Sequence, residues 1–306
     1  MQKLNPFMKL SSFWNTAISI VLAFTAIVTL LPLILIVVIS LSSSKSIAEI
    51  GYSFAPVEWS LEAYRYLIRT GRQVLLSYRI TIVITVVGTV ASLFVMSMYA
   101  YVLAQGHFKP RKALMFYTFF TMLFSGGLVP SYMINVNVLG LYDNFLIFIL
   151  PSLVAAFNVV ILRTFIRTTI PETLFEAAKI DGANDPRIFF QIVLPLFKPG
   201  LATIGLFNVV TRWNDWFTGM LYTDNPKLVP LQTMLTRIQQ NVDFIKNNAA
   251  EAGGGVSDQL GDALRQLPSE SMRMAIAIVS VIPILFAYPF FQRYFITGLT
   301  IGSVKE

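Results

Sequence analysis

Long runs of apolar residues are the feature that most restricts what this chain can fold into. A helix needs about 20 mainly apolar residues to cross the hydrocarbon core of a bilayer. Runs near that length occur at Trp14–Ser40, Ile80–Leu103, Ala113–Asn135, Asn144–Ile166, Gly200–Leu221 and Met274–Phe295. The first run is too long for the core of a cleavable signal peptide, so we predict that it remains as a span. The pattern therefore predicts an all-α, polytopic membrane protein with six transmembrane helices.

Composition supports a membrane protein and excludes several kinds of site. Charged residues make up 13% of the 306 positions, about half of the share that is usual in soluble domains. The chain has no cysteine and one histidine, His107, which excludes disulfides, thiolate metal sites and sites with several histidine ligands. The net charge of +7 comes from basic residues scattered through short loops. That distribution is typical of a positive-inside membrane protein and does not favour a nucleic-acid partner.

Sequence motifs for common catalytic chemistries are missing from the chain. It contains no GxxxxGK loop followed by serine or threonine, no HExxH zinc motif and no GxSxG nucleophile elbow. We therefore predict no catalytic residue, no metal ligand and no cofactor bound by this chain. ATP hydrolysis by this chain itself is excluded on the same ground.

The charged stretch Thr169–Pro199 lies between two apolar runs and should therefore lie outside the lipid. Apolar residues at three- and four-residue spacing predict a first short helix, and a second helix follows after a turn. Proline at the start of a helix and glycine just after its end are typical boundary signals. The predicted signals are Thr168 or Thr169 as the first cap, Pro171 as the first helical residue, Gly182 as the stop, Asp185 as the second cap and Pro195 as the final stop.

The same stretch resembles the EAA loop of binding-protein-dependent ABC importer permeases, in the form typical of the carbohydrate-uptake, maltose-permease-like branch. The resemblance rests on Glu176, Ala177, Ala178, Asp181, Gly182, Ala183, Ile192, Leu194 and Pro195. In that family the loop is a cytoplasmic coupling helix that docks in a cleft of the ATPase subunit, so the resemblance implies an ATPase-coupling role for these residues. Small alanines permit close approach, and a glycine turns the chain without a clashing Cβ. An ordinary solvated hairpin between two spans is the alternative.

The resemblance extends from about Ile80 onward, through Trp213–Asp215 and Gln292–Phe295, and is nearest to the subgroup called YtcP- or LplC-like, which is associated with complex polysaccharide fragments. It implies that residues 1–306 form a single type I ABC importer transmembrane domain in the bacterial plasma membrane, with both termini cytoplasmic. The implied regions are a cytoplasmic coupling loop 169–199, an extracytoplasmic loop 222–272 and a cytoplasmic tail 298–306. Charge supports this orientation in part: the turn Gly140–Asp143 carries no cation and suits the outside, whereas the first outer loop is basic.

The resemblance also implies the partners of a complete importer. They are a second homologous permease (as a heterodimer), two ATPase subunits that bind ATP and Mg²⁺, an extracellular solute-binding protein, an oligosaccharide substrate and the lipid bilayer. The polar connection 222–272 is long for a loop, and loops of such length are usually functional or disordered. By analogy with the family it contacts the solute-binding protein, with a flexible insertion as the alternative.

Polar residues inside the fifth apolar run are the remaining candidates for function. They are Asn208, Arg212, Trp213, Asn214, Asp215 and Trp216. Charge inside hydrocarbon is costly and usually faces a cavity or a partner. At about 1.5 Å per residue from Gly200, Arg212 lies roughly 18 Å into the span. Tryptophan and amide side chains suit sugars, so we predict pathway or substrate contacts here. A structural Arg212–Asp215 ion pair with interfacial tryptophans is the alternative.

These features predict a permease subunit that forms the translocation pathway for an oligosaccharide and is driven by a separate ATPase. A permease of the same fold for a non-sugar solute is one alternative, because Arg212 would suit an anion. A membrane scaffold or enzyme without an ATPase partner is another.

Overall fold

The structure is a computed structural model and is mostly helical. It describes residues 12–69, 71–251 and 269–302. In that part of the chain, β-structure is limited to an isolated bridge between Ser42 and Trp59, so the all-α prediction is confirmed there. The chain divides into two compact units, which are Met1–Arg69 with Gln239–Val279, and Thr70–Ile238 with Ser280–Glu306.

Helices of very different length make up the two units. In chain order the α-helices are α1 Ser12–Ser40, α2 Ser44–Ile50, α3 Glu62–Arg69, α4 Gly71–Ala104, α5 Arg111–Leu123, α6 Leu128–Met133, α7 Ala156–Thr169, α8 Glu172–Ile180, α9 Asp185–Ile188, α10 Leu194–Leu196, α11 Lys198–Trp213, α12 Phe217–Tyr222, α13 Leu231–Glu251 and α14 Ser269–Gly302. Shorter turns are the π-helices Ile134–Val138 and Phe189–Val193 and the 3₁₀-helix Phe145–Phe148.

Helix α1 dominates the first unit and is apolar on all sides. Its span Phe13–Ser40 has a mean hydropathy of 2.9, and its most apolar window is 0% buried within the chain. At its C-terminal end the hydroxyl groups of Ser40 and Tyr64 hydrogen-bond at 2.9 Å, which ties α1 to α3. A helix that is apolar all round needs an apolar environment. The surface of α1 is therefore left for lipid or for another subunit.

Helix α4 is the centre of the second unit and packs against both α7 and α11. Buried side chains at these contacts are Met96 and Leu103 from α4, Leu162 and Ile166 from α7, and Ile204 from α11. Burying a side chain of this kind stabilises a fold by about 1.5–3 kcal/mol. This core holds α4 in a fixed position relative to the segments at its two ends.

The two ends of α4 contact different loops. Near its start, Gln73 Nε2 donates to the Pro226 carbonyl at 2.7 Å. Near its end, the Tyr101 hydroxyl donates to Asp185 Oδ1 at 3.4 Å. The helix has 34 residues and is therefore about 50 Å long. The start of the 222–272 connection and the segment around Asp185 lie at opposite ends of this length.

The turn Gly140–Asp143 lies beside the start of the same 222–272 connection. Asp143 Oδ1 accepts from the N–H of Asp224 at 2.7 Å, and the Tyr142 hydroxyl donates to Asp224 Oδ2 at 2.6 Å. The hydrogen bond to this carboxylate raises the pKa of Tyr142 to about 12. Two loops that the sequence assigns to the outer side are thus joined to each other.

The number of membrane spans is only partly confirmed. By length and composition, α1 and α4 can each cross a membrane alone. Two pairs of helices can each cross a membrane only if the pair counts as one broken span. The first pair is α5 with α6 and its π-helical extension, bent by 115°. The second pair is α9–α10 with α11, bent by 78°. Residues 12–69, 71–251 and 269–302 thus hold two clear spans and up to four.

Three predicted spans are interrupted by non-helical residues. The third breaks between α5 and α6, where Gly127 has a φ of +84°. In the fourth, residues 149–155 around Pro151 are not helical, so α7 has only 14 residues. The fifth breaks between α11 and α12. Each of these three apolar runs is therefore built from more than one helical segment.

Two predicted loops differ from expectation or fall partly outside the described residues. The connection 222–272 contains a long helix, α13. The glycine run 253–255 of this connection lies outside the described residues. The predicted tail 298–306 begins within α14, which is described to Gly302. Residues 303–306 lie outside the described part.

Candidate functional site

The corner between α8 and α9 is held by a complete set of helix-end hydrogen bonds. The N–H of Gly182 donates to the Lys179 carbonyl at 3.0 Å, and the N–H of Ala183 donates to the Ala178 carbonyl at 2.9 Å. Gly182 has a φ of +76°, which glycine adopts without side-chain strain. Helix α8 therefore ends where the sequence predicts its stop, and the chain enters α9 in a defined direction.

The starts of α8 and α9 differ from the prediction. Helix α8 begins at Glu172 after an extended Pro171, and both predicted threonine caps lie within α7. The cap of α9 is Asn184 instead of Asp185; its side chain accepts from the N–H of Arg187 at 3.1 Å. Asparagine and aspartate cap helices about equally well. Residue type alone therefore could not predict whether Asn184 or Asp185 is the cap.

One side of the coupling segment, residues 169–199, packs onto the core. The predicted coupling residues on this side are Ala178, Ala183, Ile192 and Leu194. Tyr101 of α4 contacts both halves of the segment: its ring centroid lies 6.3 Å from that of Phe175 on α8 and 5.5 Å from that of Phe189 after α9. Tyr101 therefore joins the whole corner to the central helix of the unit.

The other side of the predicted coupling segment is exposed. The predicted coupling residues exposed there are Glu176, Ala177, Asp181, Gly182 and Pro195. Ile180 stands among them and is 87% exposed, although isoleucine is usually one of the most buried residue types. The sequence prediction omits Ile180. The signal for it is an isoleucine directly before a helix stop, flanked by charged residues.

In the fifth predicted span, Arg212 is buried and donates to oxygens of the chain itself. Its Nη1 donates to the Phe148 carbonyl at 2.7 Å, and its Nη2 donates to Ser92 Oγ at 2.6 Å and to the Ser152 carbonyl at 3.0 Å. These two carbonyls border or lie in the non-helical part of the fourth predicted span. The guanidinium therefore supplies donors to backbone groups that lack helical partners.

Gly88 on α4 makes the close approach of Arg212 possible. A Cβ at this position would lie 2.6 Å from Arg212 Nη1 and 2.8 Å from its Cζ, distances that neighbouring atoms do not adopt. Ser92, one turn further along α4, offers its hydroxyl to the same guanidinium. Sequence reasoning misses both residues, because a glycine and a serine inside an apolar run carry no charge signal.

Two other pathway candidates are buried with hydrogen-bond partners in the chain. Asn208 Nδ2 donates to the Ile204 carbonyl at 3.0 Å. Trp213 Nε1 donates to the Ser280 carbonyl at 2.9 Å. The Asn208 amide nitrogen is thus used within α11, and the Trp213 indole N–H joins α11 to α14.

The last three candidates lie at the break between α11 and α12. Asp215, predicted as an ion-pair partner, accepts from the N–H of Thr218 at 3.0 Å and so caps α12. Asn214 and Trp216 are exposed, Trp216 to 44%. The exposed amide of Asn214 donates through Nδ2 to the Val210 carbonyl at 3.0 Å and accepts from Gln232 at 3.4 Å. An amide and an indole are therefore accessible at this break.

Comparison with known proteins assigns the chain to a family. Residues 6–301 match the family described as binding-protein-dependent transport system inner membrane component. The chain belongs to this family. It is therefore a membrane-embedded transport permease and not an enzyme, in agreement with the motif analysis.

Relatives and a solved structure cover almost the whole permease. It is 38% identical over 280 residues to the polygalacturonan/rhamnogalacturonan transport system permease protein YtcP of Bacillus subtilis (strain 168), covering 92% of this chain and 94% of that one. It is 36% identical over 280 residues to protein LplC of the same organism, covering 91% and 90%. It also resembles the crystal structure of a bacterial ABC transporter involved in the import of the acidic polysaccharide alginate, with a TM-score of 0.75, 30% identity and coverage of 96% and 100%. The predicted resemblance to carbohydrate-uptake permeases is confirmed.

Proposed function

We propose that this permease forms half of the translocation pathway of an ABC importer and carries an oligosaccharide, such as a fragment of a complex polysaccharide. YtcP is named as a polygalacturonan and rhamnogalacturonan permease, and the solved structure belongs to an importer of alginate; both support this substrate class. A non-sugar solute is not favoured. Arg212, the residue that suggested an anionic solute, already donates to three oxygens of the chain.

The observation that carries the proposal is the two-sided coupling segment. Its inner side belongs to the core, and its outer side presents Glu176, Ala177 and Ile180 next to the corner at Gly182. An exposed isoleucine beside a small alanine suits a groove on another protein. The carboxylate of Glu176 can bind a basic side chain. We assign this outer side to the contact with the ATPase subunit.

The connection between the corner and α4 supports a lever mechanism. When the ATPase dimer closes on ATP, it would move α8 and α9 together, because the corner hydrogen bonds and the ring of Tyr101 hold them as one piece. The displacement would pass through Tyr101 into α4 and reach the outer side about 50 Å away. The free energy comes from the ATPase, and this chain transmits it.

We further propose six spans, several of them broken. They are α1, α4, α5 with α6, the stretch from Phe145 through α7, α11 with α12, and α14. The contacts of Pro226 and Asp185 with opposite ends of α4 support opposite sides for the loop 222–272 and the segment 169–199. In this arrangement 222–272 is extracytoplasmic. Both termini and the tail 298–306 are cytoplasmic, in a bacterial plasma membrane.

The proposed partners are those of a complete importer. A second homologous permease would complete the pathway, two ATPase subunits would bind ATP and Mg²⁺, and an extracellular solute-binding protein would contact the loop 222–272. Asn214 and Trp216 are the proposed sugar contacts, because an indole covers apolar sugar faces and an amide binds hydroxyls. Within the residues that the structure describes, no group of three or more acidic, histidine or cysteine side chains could hold a metal ion.

Substitutions at the corner test the proposal. Gly182→Val puts a β-branched residue at positive φ, at a cost of about 1–2 kcal/mol, while its Cβ would meet no atom within 4 Å. We expect normal membrane insertion and ATP hydrolysis, but about tenfold less uptake of a labelled acidic oligosaccharide per ATP, the factor that about 1.4 kcal/mol produces. Glu176→Ala should act in the same direction.

Two control variants separate coupling from general damage. Gly182→Asn should transport nearly normally, because asparagine tolerates the left-handed conformation. Gly71→Val alters a glycine that has neither positive φ nor an atom within 4 Å of its Cβ, and should leave coupling unchanged. Normal uptake by both Gly182→Val and Glu176→Ala would show that the coupling assignment is wrong.

A further inference from the structure

A cavity of about 270 Å³ lies between α8 and the loop that follows α4. Residues of its wall come from several elements: Gln105 and His107 from the loop, Arg111 from the start of α5, Arg167 from the end of α7 and Lys179 from α8. The cavity therefore lies where the coupling segment meets the ends of three other helices. Of its wall residues, the coupling mechanism above uses Glu176.

The wall of the cavity has a surplus of positive charge. Three cations, Arg111, Arg167 and Lys179, line it together with two carboxylates, Glu172 and Glu176. Across the described part of the chain, the ion pairs within 4.0 Å all lie elsewhere, so these cations are not paired with carboxylates. Arg111 Nη1 donates to the Gln105 carbonyl at 3.2 Å, and Lys179 Nζ lies 3.2 Å from His107 Nδ1. Both side chains have further N–H groups for a ligand. One net positive charge remains, which equals in size the single negative charge of a phosphodiester.

Gln105 provides a second and independent observation. This residue is 7% exposed, and its Nε2 has no hydrogen-bond partner among the described residues. A buried donor without an acceptor is costly, and native proteins rarely leave one. Because Gln105 belongs to the cavity wall, an oxygen-rich ligand in the cavity could supply the missing acceptor.

We propose that this cavity binds a phosphate ester, of the kind that an anionic phospholipid headgroup or a soluble glycerol phosphate presents. Arginine binds phosphate oxygens through paired N–H groups, and lysine adds a further donor. Basic pockets at the cytoplasmic ends of spans are suited to anionic lipid headgroups; the cytoplasmic placement of this one rests on the proposed function. Since α8 forms one wall, the bound ester would brace the coupling segment against α5 and α7.

The test measures ligand retention on the full-length permease, purified in detergent with the subunits that accompany it. Native mass spectrometry after titration with phosphatidylglycerol should show a retained molecule, and titration with zwitterionic phosphatidylcholine should not. Arg167→Gln and Gln105→Leu should each weaken retention by about tenfold, the loss expected for one charge-assisted or buried hydrogen bond. Lys109→Gln removes a cation from the same loop but outside the cavity wall, and should have no effect. Thermal unfolding of each variant verifies that it is folded.

Further measurements distinguish a lipid headgroup from a soluble phosphate ester, and either ligand from a side chain of a neighbouring subunit. If glycerol phosphate binds alone, displaces phosphatidylglycerol and shows the same dependence on Arg167, the site stands and a soluble ester is its ligand. If Arg167→Gln and Lys109→Gln lose retention of phosphatidylglycerol equally, general surface charge explains the binding and the proposal is overturned. Absence of binding by both probes, or a neighbouring subunit's carboxylate cross-linked into the cavity, would also overturn it. Ligand retention is measured without transport. A negative result here therefore does not bear on the coupling proposal, and a negative uptake result does not bear on this cavity.

Discussion

At the scale of single residues, Arg212 is the group whose burial demands most explanation. A cation in an apolar span is expensive unless its donors are used, and here two of its three nitrogens donate to three oxygens while Nε has no partner. The acceptors lie at or near the non-helical stretch 149–155. We interpret Arg212 as the residue that holds this broken span in shape, with Gly88 providing the space for it.

Gly88→Ala tests this interpretation. The added methyl group would overlap the guanidinium, so Arg212 must leave at least part of its hydrogen bonds, and the free energy of unfolding should fall by about 1–3 kcal/mol. Thermal unfolding in detergent measures the change. In an Arg212→Met background, Gly88→Ala should lower the free energy of unfolding much less, because the guanidinium is gone. The losses of the two single variants should therefore not add in the double variant. Additive losses, or a loss as large in the control Gly71→Ala, would contradict the interpretation.

At the scale of elements, Tyr101 matters because it joins three of them. Its ring contacts α8 and the turn after α9 while its backbone belongs to α4. Deforming a packed contact of this type displaces whole helices, because close-packed interiors transmit strain. These aromatic contacts of Tyr101 therefore connect the corner directly to α4.

Tyr101→Leu should weaken this link and leave most of the core filled. We expect hydrolysis to continue while uptake per ATP falls several-fold in proteoliposomes, because the corner can then move without α4. Tyr101→Phe keeps the ring and loses only a long 3.4 Å hydrogen bond, so it should behave like the parent protein. Tyr99→Leu is a matched control, since the Tyr99 hydroxyl hydrogen-bonds with Thr118 of α5 at 2.8 Å. An equal loss in Tyr99→Leu would refute the specific role of Tyr101.

The elements also show which features the sequence can predict. The stop of α8 at Gly182 is predictable, because local backbone preferences decide where a helix ends. The breaks in the third and fourth spans, at Gly127 and around Pro151, contain recognisable residues, yet hydropathy alone passes over them. The exposure of Ile180 and the role of Tyr101 depend on packing between distant segments, which periodicity does not contain. Sequence reasoning therefore finds the motif for which coupling is proposed but not its connections to the other helices.

At the scale of the whole molecule, the chain is built to work with other subunits. Helix α1 leaves its apolar surface unburied by the chain itself, and the outer side of the coupling segment has no contact partner within the described residues that would account for the exposed Ile180. Residues 6–301 match the family as a unit. Each of these surfaces is explained by the lipid and the partners of an assembled importer.

Cross-linking from position 180 tests the central claim most directly. The chain contains no cysteine, so Ile180→Cys introduces a single thiol without further engineering. In the assembled transporter, a short thiol-reactive cross-linker should join this position to the ATPase subunit, with a yield that changes when ATP binds. The same thiol should stay unmodified when intact cells are treated with a membrane-impermeant maleimide. Modification from outside the cell, or no cross-link to a nucleotide-hydrolysing subunit, would contradict the account.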